Sequence, residues 1–351
     1  MRSYEIVEFG RPLQQTDKPT PAPQGTEVLL RTMAAGVCHS DVHLWDGYFD
    51  LGGGKKLALA ERGMKPPITA GHEIAGEVVA VGPEAKGVAP GARCVIYPWI
   101  GCGECAVCKR GDEHLCGRPR SLGIHRPGGF SDHVMVPHPR YLSPIGALSP
   151  AEAAPYACSG LTAFSALKRI GETVYRNEPI LVIGAGGLGL MSLALLKALG
   201  GKGAVVADID PRKREAALAA GALAAVDAAA PDAAKQANLA AKAPIAAAID
   251  FVGAASSATL GTNAIARGGK YVIVGLFGGE LTLSLPLLPM RAIAIQGSFV
   301  GSPAEFQELL ALVATGKVAK VPLVERSLEH AGETLMDLKE GRIVGRAILK
   351  P

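Results

Sequence analysis

Between Cys38 and His43 the chain reads Cys-His-Ser-Asp-Val-His, which places a thiol, a hydroxyl, a carboxylate and two imidazoles within six residues. Sulfur and nitrogen donors can bind a metal, and a hydroxyl followed by an imidazole can pass a proton. Taken alone, the stretch reads more simply as a buried apolar thiol beside a surface imidazole. The remaining chemistry-bearing residues give it a context.

The most specific pattern is Cys102-x2-Cys105-x2-Cys108-x7-Cys116. Four thiols this close in a chain from a reducing compartment close a tetrahedral zinc site with no position left for water, so the site is structural. Metal binding then becomes folding free energy for a loop without a core of its own. Disulfides or a redox dithiol would need an oxidising compartment. His114 lies inside the loop, but four cysteines complete the site, so it reads as a surface residue. Cys94 falls in a strand pattern and reads as core.

A second pattern is Ile180-Leu181-Val182-Ile183 running into Gly184-Ala185-Gly186-Gly187-Leu188-Gly189 and an apolar helix. The glycines suit a tight turn, close approach of a pyrophosphate and close helix–strand packing, with the helix N-terminus facing the phosphates. Val205-Val206-Ala207-Asp208 supplies the acidic residue expected at the end of the next strand. A carboxylate there holds the ribose hydroxyls and repels a 2′-phosphate, which favours NAD over NADP. Asp210-Pro211 reads as a helix start with Asp210 as N-cap. Arg212 and Lys213 remain candidates for a 2′-phosphate.

The elements that position these residues fall into two groups. Up to residue 147 the pattern is short strands and turns: Glu27–Arg31, the stretch after Glu73, Arg93–Ile96 and segments within 128–147. Residues 42–63 read as an irregular helix and loop with Gly52-Gly53-Gly54 at its tip. From Ser149-Pro150-Ala151-Glu152, an N-cap with proline and an acid in the first turn, helices alternate with apolar strands. Those strands are Ile180–Ile183, Ala204–Ala207, Ala246–Asp250, Tyr271–Val274 and Ile293–Gly297, an alternation that implies a doubly wound parallel sheet. The tail (helix 306–315, strand 321–323, helix 335–340, strand 346–349) is mixed and can pack back on the first half.

A chain of 351 residues with 48% hydrophobic and 19% charged residues has room for two cores. Its net charge of +4 includes no Lys/Arg block of the kind that marks nucleic-acid or membrane surfaces. The N-terminus lacks the apolar core of a signal peptide, and the longest apolar run, 180–196, is crowded with glycines. The composition implies a cytoplasmic enzyme without nucleic-acid or membrane partners.

In this order, the octapeptide Gly36–His43, Gly71-His72-Glu73-Ile74-Ala75-Gly76, the cysteine lobe, Ala157-Cys158-Ser159-Gly160, the glycine turn and Val274-Gly275-Leu276-Phe277-Gly278 resemble the zinc-dependent alcohol dehydrogenases of the medium-chain dehydrogenase/reductase superfamily. The similarity runs nearly end to end and is closest to the tetrameric microbial and archaeal branch. It implies an α/β fold, with a Rossmann doubly wound parallel sheet and a mostly β, GroES-like catalytic domain. The implied division is 1–154 catalytic with the zinc lobe at 100–117, 155–297 NAD-binding, and 298–351 returning to the catalytic domain.

The resemblance makes Cys38, His72 and Cys158 ligands of a catalytic zinc, with Glu73 beside the metal and able to take the fourth position. Ser40 would hydrogen-bond the alcohol, His43 pass its proton on, and Asp41 orient His72. Gly184, Gly186, Gly187, Leu188, Gly189, Asp208, Lys213 and Arg346 would hold NAD, with Arg346 on the pyrophosphate. Trp99, Leu276 and Phe277 would line an apolar substrate pocket. His39 is a phosphate contact or a solvated loop residue.

The expected protein carries two zinc ions and NAD. It reversibly converts primary or secondary alcohols to aldehydes or ketones and forms a homo-oligomer, with a tetramer favoured over a dimer. The rivals are a polyol or amino-alcohol dehydrogenase, marked by a polar pocket, and a redox-sensing regulator that binds dinucleotide without turnover, for which a proton relay has no use.

Overall fold

The computed structural model describes residues 1–351. Six parallel strands form one sheet in the order Ala224–Asp227, Ala204–Asp208, Ile180–Ile183, Ala247–Asp250, Lys270–Ile273, Ala294–Gly297. The first strand in sequence, Ile180–Ile183, pairs with the second on one side and the fourth on the other. The strand order therefore reverses beside the glycine turn, where open α/β sheets bind ligands. All four residues of Ile180–Ile183 are buried, as a parallel strand covered on both faces must be. Helices Ser159–Ile170 and Gly187–Ala198 cover one face, and Ala233–Ala241 and Ala255–Ala264 cover the other.

The other half is built on strand Val28–Val37. It pairs antiparallel with Glu73–Val81, with His133–Val136 and with the C-terminal strand Arg346–Lys350. Arg93–Ile96 and Leu142–Pro144 extend the sheet beyond Glu73–Val81. The last residues of the chain thus pair with some of the first. The main hydrophobic core contains Cys38, Trp99 and Cys158 together with Leu161, Val182 and Leu190. One packed interior therefore joins the β-rich half to the parallel sheet.

Local signals explain several element boundaries. Ser149 Oγ accepts from Glu152 N while the Glu152 carboxylate accepts from Ser149 N at 2.9 Å, a reciprocal cap with Pro150 in the first turn. Asp210 caps helix Pro211–Ala219 by accepting from Arg212 N at 2.9 Å.

Residues 42–63 depart from expectation. Helix His39–Asp46 ends at Gly47, and the chain then forms a hairpin, Tyr48–Gly52 with Lys55–Ala58. The three glycines are its turn, at φ 81, 56 and 76°. Positive φ suits hairpin turns that follow strand twist, whereas the sequence reads as a loop with these glycines at its tip. The turn packs on Glu280 of the parallel-sheet half.

Candidate active site and metal centres

The strand Val28–Val37 ends by delivering Cys38, and helix His39–Asp46 begins immediately after it. Asp41, in the first helical turn, folds its carboxylate back to accept from Cys38 N at 2.9 Å. The same carboxylate accepts from Gly71 N at 3.1 Å and lies 3.2 Å from His72 Nδ1. Asp41 thereby ties two segments thirty residues apart at full burial. Gly71 stands at φ 88°, and a Cβ there would come within 2.5 Å of the Phe130 ring, so only glycine permits this approach.

Cys158 completes the cluster from a third direction, between the short turn Ala154–Ala157 and helix Ser159–Ile170. The ligand atoms of Cys38, His72 and Cys158 all lie within 4.8 Å of one another, and all three residues are buried. His72 Nε2 has no hydrogen-bond partner, an arrangement that disfavours burial unless a metal takes that lone pair. A hydrogen bond from Cys158 holds Cys38 well below the usual thiol range and Cys158 correspondingly above it. Burial opposes a charge on His72, but Asp41 outweighs it and raises the ring well above its ordinary range. A thiolate and an imidazole stripped of water in this way form a donor set that fits zinc.

Around the cage, Glu73 is fully buried. Its Oε1 accepts from Ser159 N at 3.0 Å, and its Oε2 meets the Arg346 guanidinium at 2.5 Å. Burial raises the Glu73 carboxyl, and Arg346 opposes that shift. Arg346 also stands against the glycine turn, since a Cβ on Gly187 would lie 2.2 Å from its Cδ. It thus reaches the turn expected to hold the pyrophosphate, but its charge is already matched by Glu73. Ser40 Oγ lies 3.8 Å from Cys38 Sγ. His43 follows Ser40 by three residues on the same helical face and packs on Phe49 at 5.0 Å between ring centroids. Burial lowers His43 from its ordinary pKa, which keeps the ring neutral and able to accept a proton.

On the parallel-sheet side, Gly186 precedes helix Gly187–Ala198. A Cβ on Gly189 would stand 2.0 Å from Gly184 O, so strand and helix meet at backbone contact. Asp208 Oδ2 accepts from Ala185 N at 2.7 Å and Oδ1 from Asp210 N at 2.8 Å. It thereby braces the glycine turn. Each oxygen retains a second lone pair for a hydroxyl. Arg212 is paired with Asp210 at 2.8 Å, which engages one of the two cations that could have taken a 2′-phosphate. Lys213 forms no ion pair, and its Nζ lies 3.6 Å from where a Cβ on Gly341 would stand.

The cysteine lobe forms a second cage. Its sulfurs approach one another at 3.5, 3.8 and 3.9 Å, and none forms a disulfide. A tetrahedron with metal–sulfur arms of about 2.3 Å has edges of about 3.8 Å, so the spacing fits zinc. Cys102 N and Arg118 N both donate to Cys116 Sγ at 3.3 Å. Backbone donors at Glu104 and Cys105 lower Cys102 to about 6, whereas burial pushes Cys108 up to about 12.

One expectation needs correction. His114 is not a surface residue. In the turn Glu113–Leu115 it is Leu115 that faces solvent, while His114 is buried with neither ring nitrogen partnered. Trp99, expected at the substrate pocket, is buried, with its ring 5.1 Å from that of His72. Leu276 and Phe277 are 45% and 71% exposed; the hydrogen bond from Phe277 N to Val252 O holds their loop at the rim of the parallel sheet.

Phe299, which the sequence reading missed, packs edge-on against Trp99 at 5.9 Å and is half exposed. It follows the last strand of the parallel sheet without any motif, so no local signal singled it out. His125, His138 and His330 are exposed, and His133 pairs with Asp132 at 2.8 Å. Cys94 is core.

Comparison with known proteins gives a consistent picture. Residues 24–147 match the family model of the alcohol dehydrogenase GroES-like domain, and residues 187–315 match that of the zinc-binding dehydrogenase. An NAD-dependent alcohol dehydrogenase of Sulfurisphaera tokodaii is 38% identical over the whole of both chains. The crystal structure of an alcohol dehydrogenase from Aeropyrum pernix superposes with a TM-score of 0.89 at 29% identity, again over both entire chains. A cobalt- and zinc-bound thermostable alcohol dehydrogenase from Pyrobaculum aerophilum, 27% identical, gives a TM-score of 0.83, covering 100% of this chain and 99% of that one.

Proposed function

Since the chain belongs to the zinc-binding alcohol dehydrogenases, we propose that it oxidises primary or secondary alcohols to aldehydes or ketones, reversibly, with NAD. The observation that carries this is the buried cage of Cys38, His72 and Cys158, with Ser40 at its edge and the glycine turn reached through Arg346. When bound, zinc supplies Lewis acidity that favours deprotonation of an alcohol, and NAD supplies the hydride acceptor.

The chain's own residues do the rest. Cys38, His72 and Cys158 hold the metal, and Asp41 fixes the ring of His72. Ser40 Oγ takes the hydroxyl proton while releasing its own toward His43, which carries it outward. Glu73 keeps Arg346 in place and stands beside the metal. The turn from Gly184 to Gly189, including Gly187 and Leu188, receives the pyrophosphate, with Arg346 behind it. Asp208 holds the ribose and Lys213 lies nearby. Trp99, Leu276 and Phe277 form an apolar approach, with Phe299 added to it. The cysteines 102, 105, 108 and 116 hold the structural zinc. On this reading the catalytic unit comprises 1–154 and 298–351, and the cofactor unit 155–297.

We further place the protein in the cytoplasm as a homo-oligomer, a tetramer by resemblance. No helix is long and apolar enough to cross a membrane. The strand Ala294–Gly297 is an open sheet edge, and Leu285, Leu287 and Met290 are exposed just before it, a surface suited to a second copy.

The test is a panel of aliphatic, aromatic and polyhydroxy alcohols with NAD and NADP, followed by the absorbance of the reduced nicotinamide. Turnover of apolar alcohols with NAD is expected. No reduction with any alcohol would overturn the assignment and favour a binding protein.

A further inference from the structure

The resemblance makes Trp99 a wall of the substrate pocket, yet its side chain is 4% exposed. Its indole N–H donates to the Ala157 carbonyl at 3.1 Å. Its ring lies 5.1 Å from that of His72 at a tilt of 56°. One side chain therefore holds the residue preceding one metal ligand and packs against the ring of another.

The Ala157 carbonyl is the acceptor of the indole bond. It closes the short turn Ala154–Ala157, and the helix that follows begins its bonding with Thr162 N to Cys158 O. Cys158 itself, at φ −130° and ψ −71°, belongs to neither element. Where its sulfur points thus depends on how this junction is pinned, and the indole supplies the pin.

The backbone of Trp99 is itself clamped. Leu122 N donates to Pro98 O at 3.0 Å, and Arg120 N donates to Ile100 O at 2.7 Å. The segments entering and leaving the cysteine lobe therefore meet on either side of Trp99. The sulfurs of Cys102 and Cys116 close the loop just beyond that clamp.

We propose that Trp99 is a positioning residue for the catalytic metal, whose indole carries the order of the cysteine lobe to Ala157–Cys158 and to His72. This rests on the reading of Cys38, His72 and Cys158 as a zinc cage, and it gives Trp99 a task separate from contact with the substrate.

The test compares Trp99→Phe, which keeps an aromatic ring but removes the N–H, with Trp99→Leu, which removes both contacts. Metal affinity is measured by competition with a chromophoric chelator. The geometry of the cage is read from the thiolate-to-metal and d–d absorption of the cobalt-substituted protein. In Trp99→Phe, one of two ions should bind roughly 10-fold more weakly with a shifted cobalt spectrum, and in Trp99→Leu roughly 100-fold, the scale of lost outer-shell partners. The lobe ion should be retained in both.

Wild-type metal affinity and spectrum in Trp99→Phe, with only the alcohol KM altered, would overturn the proposal and leave Trp99 as a pocket wall. Trp99→Phe carries the test alone if Trp99→Leu does not fold. A wild-type chain that binds only the lobe ion would overturn the cage reading itself, a result distinct from failure of the Trp99 proposal.

Discussion

The two cages in this chain are assembled in opposite ways. The lobe draws four sulfurs from one loop, Cys102 to Cys116, and its supporting donors, Cys102 N and Arg118 N, are local. The other cage draws Cys38, His72 and Cys158 from three distant segments, and Asp41, Glu73 and Trp99 hold those segments together. Four protein sulfurs fill a tetrahedron, whereas three donors leave one position for a substrate oxygen. The lobe's Cys102 and Cys105 are partly exposed, whereas His72 is at 0% exposure. The local cage can close as soon as its loop meets metal. The distant one exists only after both halves have folded, and its burial makes every charge placed there count for more.

Cys38→Ser breaks the distant cage alone. Turnover should be lost, one zinc per chain should remain by metal analysis, and NADH binding should survive because the glycine turn is untouched.

Cys116→Ser breaks the local cage alone. The chain should retain one zinc but lose on the order of 4 kcal/mol of stability, in the range that loss of a structural metal occupies. Denaturant titration measures this, and turnover should follow the folded fraction. Equal losses of turnover and stability in both variants would dissolve the distinction between the cages.

His43→Gln sharpens the contrast at the open side of the distant cage. Loss of the proton acceptor should reduce alcohol oxidation about 10²-fold, the usual scale of general-base catalysis, without releasing metal. Burial lowers His43 below its ordinary 6.5, so the neutral ring persists at neutral pH. Oxidation in the wild type should fall only as the pH drops beneath that range and His43 takes up a proton. The variant's pH–rate profile should lack this limb, and a retained limb would assign it to another group.

Features held within a few residues were legible from the chain itself. The cysteine spacing, the strand–glycine–helix turn, Asp208, the Ser149 and Asp210 caps and the alternation of the parallel strands all depend on periodicity, φ preference or short-range hydrogen bonding. Features that depend on which side faces inward were not. His114 and Leu115 are neighbours in one turn, and only packing decides that the imidazole is buried and the leucine exposed. The hairpin at residues 48–58 needed the pairing of Tyr48 with Ala58, which no run of glycines announces.

The distant cage lies between these cases. Its ligands could be named from resemblance, but composition and spacing gave no reason for Cys38 to meet Cys158. The sequence by itself determined the donor types, the closed lobe and the cofactor turn, because each is specified over a span that local geometry controls. Tertiary structure alone decided that Asp41 would bind Cys38, Gly71 and His72 together, that Glu73 would meet Arg346, and that Trp99 would turn inward onto Ala157. Those contacts join segments up to 273 residues apart, counting from Glu73 to Arg346. They form only where burial of the shared core has already brought the segments within hydrogen-bonding reach.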